Sequence, residues 1–164
     1  MELKIKKMKI YIDTSVISNL AADDAIEIME YSHRLWDEIK KDTFEIIISN
    51  LVIEEIDECP EPKRTELIKL LDEIHYQEEA ITNEAIDLAG KYIQAKIIPE
   101  KYEDDAIHIA VATILNCNAI ISWNFKHMIK LKTIIGVNGI NASLGYRTIE
   151  IVTPISVVSN EDKE

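Results

Sequence analysis

The sequence predicts an α/β protein, a three-layer α/β/α sandwich with a central parallel sheet. Three observations predict it. Short β-branched runs alternate with longer segments of helical periodicity, the pattern of strands joined by crossover helices. Several strand candidates end in polar residues that can also start the next helix, and open parallel sheets gather their functional groups at such junctions. Finally, 164 residues with 47% hydrophobic content and only four Gly and four Pro suit one helix-rich domain with a full core. Residues 1–158 are assigned to this domain and residues 159–164 to a frayed tail.

Taken in order, Met1 to Lys7 alternates apolar and charged residues and can extend the first strand, with Met8 as an alternative start. Met8 to Ile12 reads as that strand, ended by Asp13. Val16, Ile17 and Leu20 then mark a short helix, and Asp23 can cap a longer one. In that helix Ala25, Ile28, Met29, Leu35, Trp36 and Ile39 recur at three- and four-residue steps, giving a core-facing stripe. Phe44 to Ile48 reads as a buried strand, with Ser49 or Asn50 capping the helix that begins LVIEEIDE. Pro60 and Pro62 break the chain before a helix carrying Leu67, Ile68, Leu70, Leu71 and Ile74. Thr82 caps a helix through Ile93, and Lys96 to Lys101 connects it onward. Glu103 to Cys117 is apolar on nearly every face after its acidic opening and reads as a buried helix. Ala119 to Ser122 follows as a strand, then the segment WNFKHM. A helix spans Leu131 to Leu144, although Gly136 and Gly139 count against its continuity. Thr148 to Val152 is the last strand.

Composition narrows the function. A net charge of −12 excludes broad electrostatic wrapping of nucleic acid, yet a few lysines at a cleft can still hold phosphates. Cys59 and Cys117 lie far apart without metal-ligand spacing and read as core thiols in a reducing compartment. No run approaches the roughly 18 apolar residues of a membrane span, so a cytoplasmic protein without membrane contact is expected. No Gly-rich phosphate loop is present.

In the predicted sheet the strand ends converge, collecting Asp13, Glu54 or Glu55, and Asn124, with Asp104 and Asp105 able to point toward them. Clustered carboxylates repel unless a cation lies among them, and oxygen-only ligands select Mg²⁺ or Mn²⁺. Helical geometry distinguishes the glutamates. Glu54 lies nearly opposite the face made by Leu51, Val52, Ile53 and Ile56, whereas Glu55 lies on its border, where a cleft would be. Periodicity does not choose between Asp104 and Asp105, and acids there can also offset the helix dipole. Thr14, Ser49 and Ser122 can support the acids or cap helices; Lys126 and His127 can contact phosphate or belong to a solvated loop. His108 reads as a core histidine.

Four segments, IDTSV, SNLVIEEI, DDAIHIAVA and SWNFKHM, in this order from Met8 to about Met128, resemble the PIN-domain ribonucleases, which include the VapC toxins of toxin–antitoxin pairs. The resemblance implies a three-layer fold, Mg²⁺- or Mn²⁺-dependent hydrolysis of RNA, a homodimer, and a small antitoxin as partner. It also implies that Asp13, Glu55 and Asp105 are the metal-binding acids. Where many relatives carry a further acid, this chain has Asn124, which brings no charge and would weaken a second metal site. A PIN-fold module that binds RNA or protein with little turnover is the alternative. A phosphatase using Asp13 as nucleophile is disfavoured by Ser15, where a second Asp would be needed.

Overall fold

The computed structural model describes residues 6–22 and 24–158. Its strands are β1 (Met8–Ile12), β2 (Phe44–Ser49), β3 (Gln77–Glu79), β4 (Ala119–Ile121) and β5 (Glu150–Val152). All pair in parallel, in the spatial order β3-β2-β1-β4-β5. Ile10 lies opposite both Ile46 and Ala119. Ile10, Tyr11, Ile12, Ile47, Ile48, Ile120 and Ile121 are buried, because helices cover both faces of the sheet and the inner strands therefore run almost continuously apolar.

The helices are α1 (Thr14–Ser18), α2 (Ile26–Lys40), α3 (Asn50–Asp57), α4 (Lys63–Leu71), α5 (Asn83–Gln94), α6 (Glu103–Ile114) and α7 (Leu131–Ser143). α1, α3 and α4 touch one another, as do α5 with α6 and α5 with α7. The chain steps outward from β1 to β3, then crosses back to β4 and out to β5. Right-handed crossovers place the two helix groups on opposite faces when the direction of stepping reverses. The reversal also separates the connections leaving β1 and β4, which opens a crevice at the carboxyl ends of those two strands.

Several elements differ from the sequence expectation. β3, sequence Gln-Glu-Glu, was not expected. It is a short polar edge strand on Ile47–Ser49, and an exposed edge carries no hydrophobic signal. α6 ends at Ile114 rather than Cys117, because Asn116 turns into the left-handed region at φ 57°. α7 is continuous through both glycines. A side chain at Gly136 would meet Ile97 at 2.8 Å, whereas Gly139 faces open space. The last strand is shorter than Thr148 to Val152, beginning at Glu150. α2 starts after Ala25 without a side-chain cap, and Asp23, expected as its cap, lies outside the described residues. So do residues 1–5 and the expected tail from Ser159. Within α2 the buried stripe is Ser32, Leu35, Trp36 and Ile39, while Ile28 and Met29 are half-buried. Cys117 is buried and Cys59 half-buried, both as free thiols. No helix among the described residues is long and apolar enough to cross a membrane.

Candidate active site

At the crevice beyond β1 and β4, a cavity of about 270 Å³ is lined by Asp13, Thr14, Ser15, Asn19, Glu55, Asp105, His108, Trp123 and Asn124. Three elements deliver its acids. Asp13 leaves the end of β1, where its N–H still donates to Ile121 O at 3.3 Å. Glu55 projects from α3 and Asp105 from the first turn of α6. No lysine or arginine among the described residues lines the cavity.

Asp13 is the most firmly held. Oδ1 accepts from Ser15 Oγ at 2.5 Å and from Ser15 N at 3.1 Å, and Oδ2 accepts from Ser122 Oγ at 2.5 Å. The two serines are fixed in turn by the loop after β4, with Trp123 N donating to Ser15 Oγ and Asn124 N to Ser122 Oγ, both at 2.9 Å. Asp13 thus caps α1 and also faces the cavity. Burial raises its carboxyl above the ordinary range, against the pull of His108, Ser122 and Ser15.

Glu55 is anchored on one oxygen. Oε1 accepts from Thr14 Oγ1 at 3.0 Å and lies 2.6 Å from His108 Nε2. Burial alone would raise this carboxyl, but the His108 hydrogen bond and charge, with Thr14, hold it below its usual range. His108 is 2% exposed. Its Nδ1 lies 2.6 Å from the Tyr11 hydroxyl, itself 2.7 Å from Ser49 Oγ. Burial opposes protonation of the imidazole, and Glu55, Asp13 and Asp105 together outweigh it, raising the pKa. Asp105 has fewer donors. Burial and the neighbouring acids push it up to about 6, eased by a hydrogen bond from the Asn124 amide and by the His108 charge.

Of the residues singled out in the sequence, Asp13, Thr14, Glu55, Asp105 and Asn124 line the cavity, and Ser122 touches Asp13 from behind. Ser49 reaches Glu55 only through Tyr11 and His108. Asp104 and Lys126 are exposed and outside the lining, and His127 stacks on Tyr102 instead. Glu54 is exposed and accepts from Asn50 Nδ2 at 3.1 Å. Sequence reasoning passed over Ser15, Asn19 and Trp123, and placed His108 only in the core. The Asp-x-Ser spacing is a signal for Ser15, since an aspartate readily accepts from the residue two ahead. No local pattern reports the contact of His108 with Glu55, 53 positions away.

Among the described residues no three His, Cys, Asp or Glu side chains are drawn close enough to hold a metal ion. The donor set nevertheless fits a hard cation. Three carboxylates face one cavity, the side-chain hydrogen bonds of Glu55 fall on Oε1, and Asp13 and Asp105 are raised chiefly by burial, a desolvation that a bound cation would offset.

No family model matches the sequence, and no curated protein does. Solved structures share its architecture. VapC20 of Mycobacterium tuberculosis, described as a sarcin–ricin loop cleaving toxin, superposes with a TM-score of 0.54 at 16% identity, covering 72% of this chain and 92% of that one. VapBC2 from Rickettsia felis, bound to a DNA fragment from their promoter, also gives 0.54, at 12% identity, covering 88% and 98%. The strand order, the two helix layers and these likenesses together show that the chain has the PIN-domain, VapC-like fold.

Proposed function

We propose that the chain is a divalent-cation-dependent endoribonuclease acting as a VapC-type toxin. The observation that carries this reading is the convergence of Asp13, Glu55 and Asp105 on one cavity, where His108 is bound to Glu55. These three would hold Mg²⁺ or Mn²⁺, which when bound supplies charge neutralisation at the phosphate and a water of lowered pKa. The chain's own contribution is preorganisation. Ser15 and Ser122 clamp Asp13, while Thr14 and His108 orient Glu55 so that its second oxygen is left for the cavity. Asn124 keeps the fourth position polar and neutral, able to hydrogen-bond a water or phosphate oxygen. In-line attack of water on phosphorus would leave a 5′-phosphate and a 3′-hydroxyl.

The likeness to VapC20, a sarcin–ricin loop cleaving toxin, and to VapBC2 supports RNA as substrate and a small antitoxin as partner. Exposed Leu131 and Ile135 on α7, at 74% and 62%, offer apolar surface for a homodimer. The test is hydrolysis of RNA by purified protein in Mg²⁺ or Mn²⁺, beside EDTA, Asp13→Asn and Asp105→Asn. Cation-dependent cleavage lost in both variants is expected. Absence of cleavage by the unaltered protein would favour the binding-module alternative, to which the neutral Asn124 is suited.

A further inference from the structure

The loop after β4 holds Asp13 through its backbone, and α2 holds that loop through a side chain. Trp123 N donates to Ser15 Oγ and Asn124 N to Ser122 Oγ, both at 2.9 Å. A hydroxyl carries a single proton, so each serine that accepts from the loop turns its own proton elsewhere. Ser15 gives that proton to Asp13 Oδ1 and Ser122 gives it to Asp13 Oδ2, both at 2.5 Å. The contact between the two hydroxyls, at 3.4 Å, and that of Ser122 with Met128 Sδ, at 3.5 Å, are much longer. Two successive N–H groups therefore fix both serines as donors to the two oxygens of one carboxylate.

What fixes the loop lies buried behind it. Trp123 is 6% exposed, and its indole N–H, which can only donate, reaches Ser32 Oγ on α2 at 2.7 Å. Ser32 is fully buried and its proton goes to Ile28 O at 2.8 Å, so its lone pairs are left for the indole. Burial of an indole does not bring such a partner by itself. Trp36, one turn further along the same helix, is also buried, and its N–H meets no acceptor among the described residues. Ser32 does not line the acid pocket.

We propose that Ser32 is a positioning residue for Asp13. By holding the Trp123 ring it sets where the Trp123 and Asn124 N–H groups stand, and through them the serine clamp that presents Asp13 to a cation. The inference rests on the nuclease reading for the identity of that ligand, while the clamp itself forms without one.

Amide hydrogen exchange followed by NMR in EDTA reads the clamp with no cation present. Ser32→Ala should speed exchange at Trp123 and Asn124 about 10-fold beyond any change at the inner strands β1 and β2, which report global stability. A merely structural role would move both sets alike. Ser32→Thr, which keeps the hydroxyl, should restore protection. Trp123→Phe lacks the indole N–H and should match Ser32→Ala at the Asn124 amide, with the double variant no worse than either. Mn²⁺ titration followed by electron paramagnetic resonance then reads the ligand, and Ser32→Ala should weaken affinity about 10-fold. Unaltered local exchange in Ser32→Ala, effects of the two substitutions that multiply, or bound Mn²⁺ whose affinity Ser32→Ala leaves unmoved would overturn the proposal. Cleavage of RNA by the unaltered protein is assayed in parallel. Absence of Mn²⁺ binding and of cleavage, with the exchange effect present, would sink the nuclease reading and keep the positioning role; Mn²⁺-dependent cleavage with exchange unmoved would do the reverse.

Discussion

His108 Nε2 lies 2.6 Å from Glu55 Oε1, and the other nitrogen of the same ring lies 2.6 Å from the Tyr11 hydroxyl. A buried imidazole therefore connects the central strand to an acid of the pocket, and the orientation of Glu55 depends on it. His108→Ala leaves Glu55 with Thr14 alone. Cleavage should fall about 10- to 100-fold, the usual consequence of losing a group that orients a ligand. His108→Gln, which can still present a donor to Glu55, should retain more activity. Steady-state kinetics on an RNA substrate separates the two.

Tyr11→Phe removes the hydroxyl between His108 and Ser49 without altering the packed ring. Two buried polar groups then lose a partner, which should cost about 1–3 kcal/mol of stability in a urea titration. Equal stability of the variant would count against a buried relay.

The pH dependence of the cation-free protein follows from opposing shifts. Asp105 is raised from 3.8 to about 6, so the stability linked to it is fully present below 3.8 and is lost as pH rises through about 6. Asp13 is raised as well and acts in the same sense. His108 is raised above 6.5, so its contribution is present below that value and is lost above its folded-state pKa. Glu55 is lowered from 4.5, so its contribution is present above 4.5 and is lost as pH falls. Thermal melts in EDTA should therefore show greatest stability near pH 5 and a decline toward pH 8. Asp105→Asn should flatten that decline, and Mn²⁺ should raise the melting temperature at pH 8 more for the unaltered protein than for the variant.

Asn124→Asp replaces an amide that donates to Asp105 with a fourth carboxylate. In EDTA at pH 8 the variant should melt below the unaltered protein, and the difference should close near pH 5 as the acids protonate. Added Mn²⁺ should restore it by a larger increment, because four acids demand a counterion more strongly than three. An unchanged response to Mn²⁺ in differential scanning fluorimetry would place Asn124 outside the cation's reach.

Gly136→Ala tests the packing of α7. The added methyl meets Ile97 at 2.8 Å, and overpacking of this kind costs about 1–3 kcal/mol despite the better helix propensity of alanine. Combination with Ile97→Val, which removes one of the three crowded atoms, should recover part of the loss.

The alternation of β-branched runs and helical stripes made the layered parallel fold legible in the sequence, because a strand buried on both faces must be apolar along its length. Periodicity likewise set Glu55 apart from Glu54, since a helix of known pitch assigns each side chain a direction. The identity of Asp105 among adjacent acids was not legible locally, because α6 is apolar all round and its pitch singles out no face. Only the packing of α6 against the crevice turned Asp105 inward and left Asp104 in solvent. The same holds for Ser122 clamping Asp13 across 109 positions and for His108 holding Glu55. Hydrogen bonds between distant segments depend on where the sheet brings those segments together, and the parallel register of β1 with β4 decides that. β3 escaped notice for the opposite reason, as a polar edge strand whose pairing is carried by backbone atoms common to every sequence.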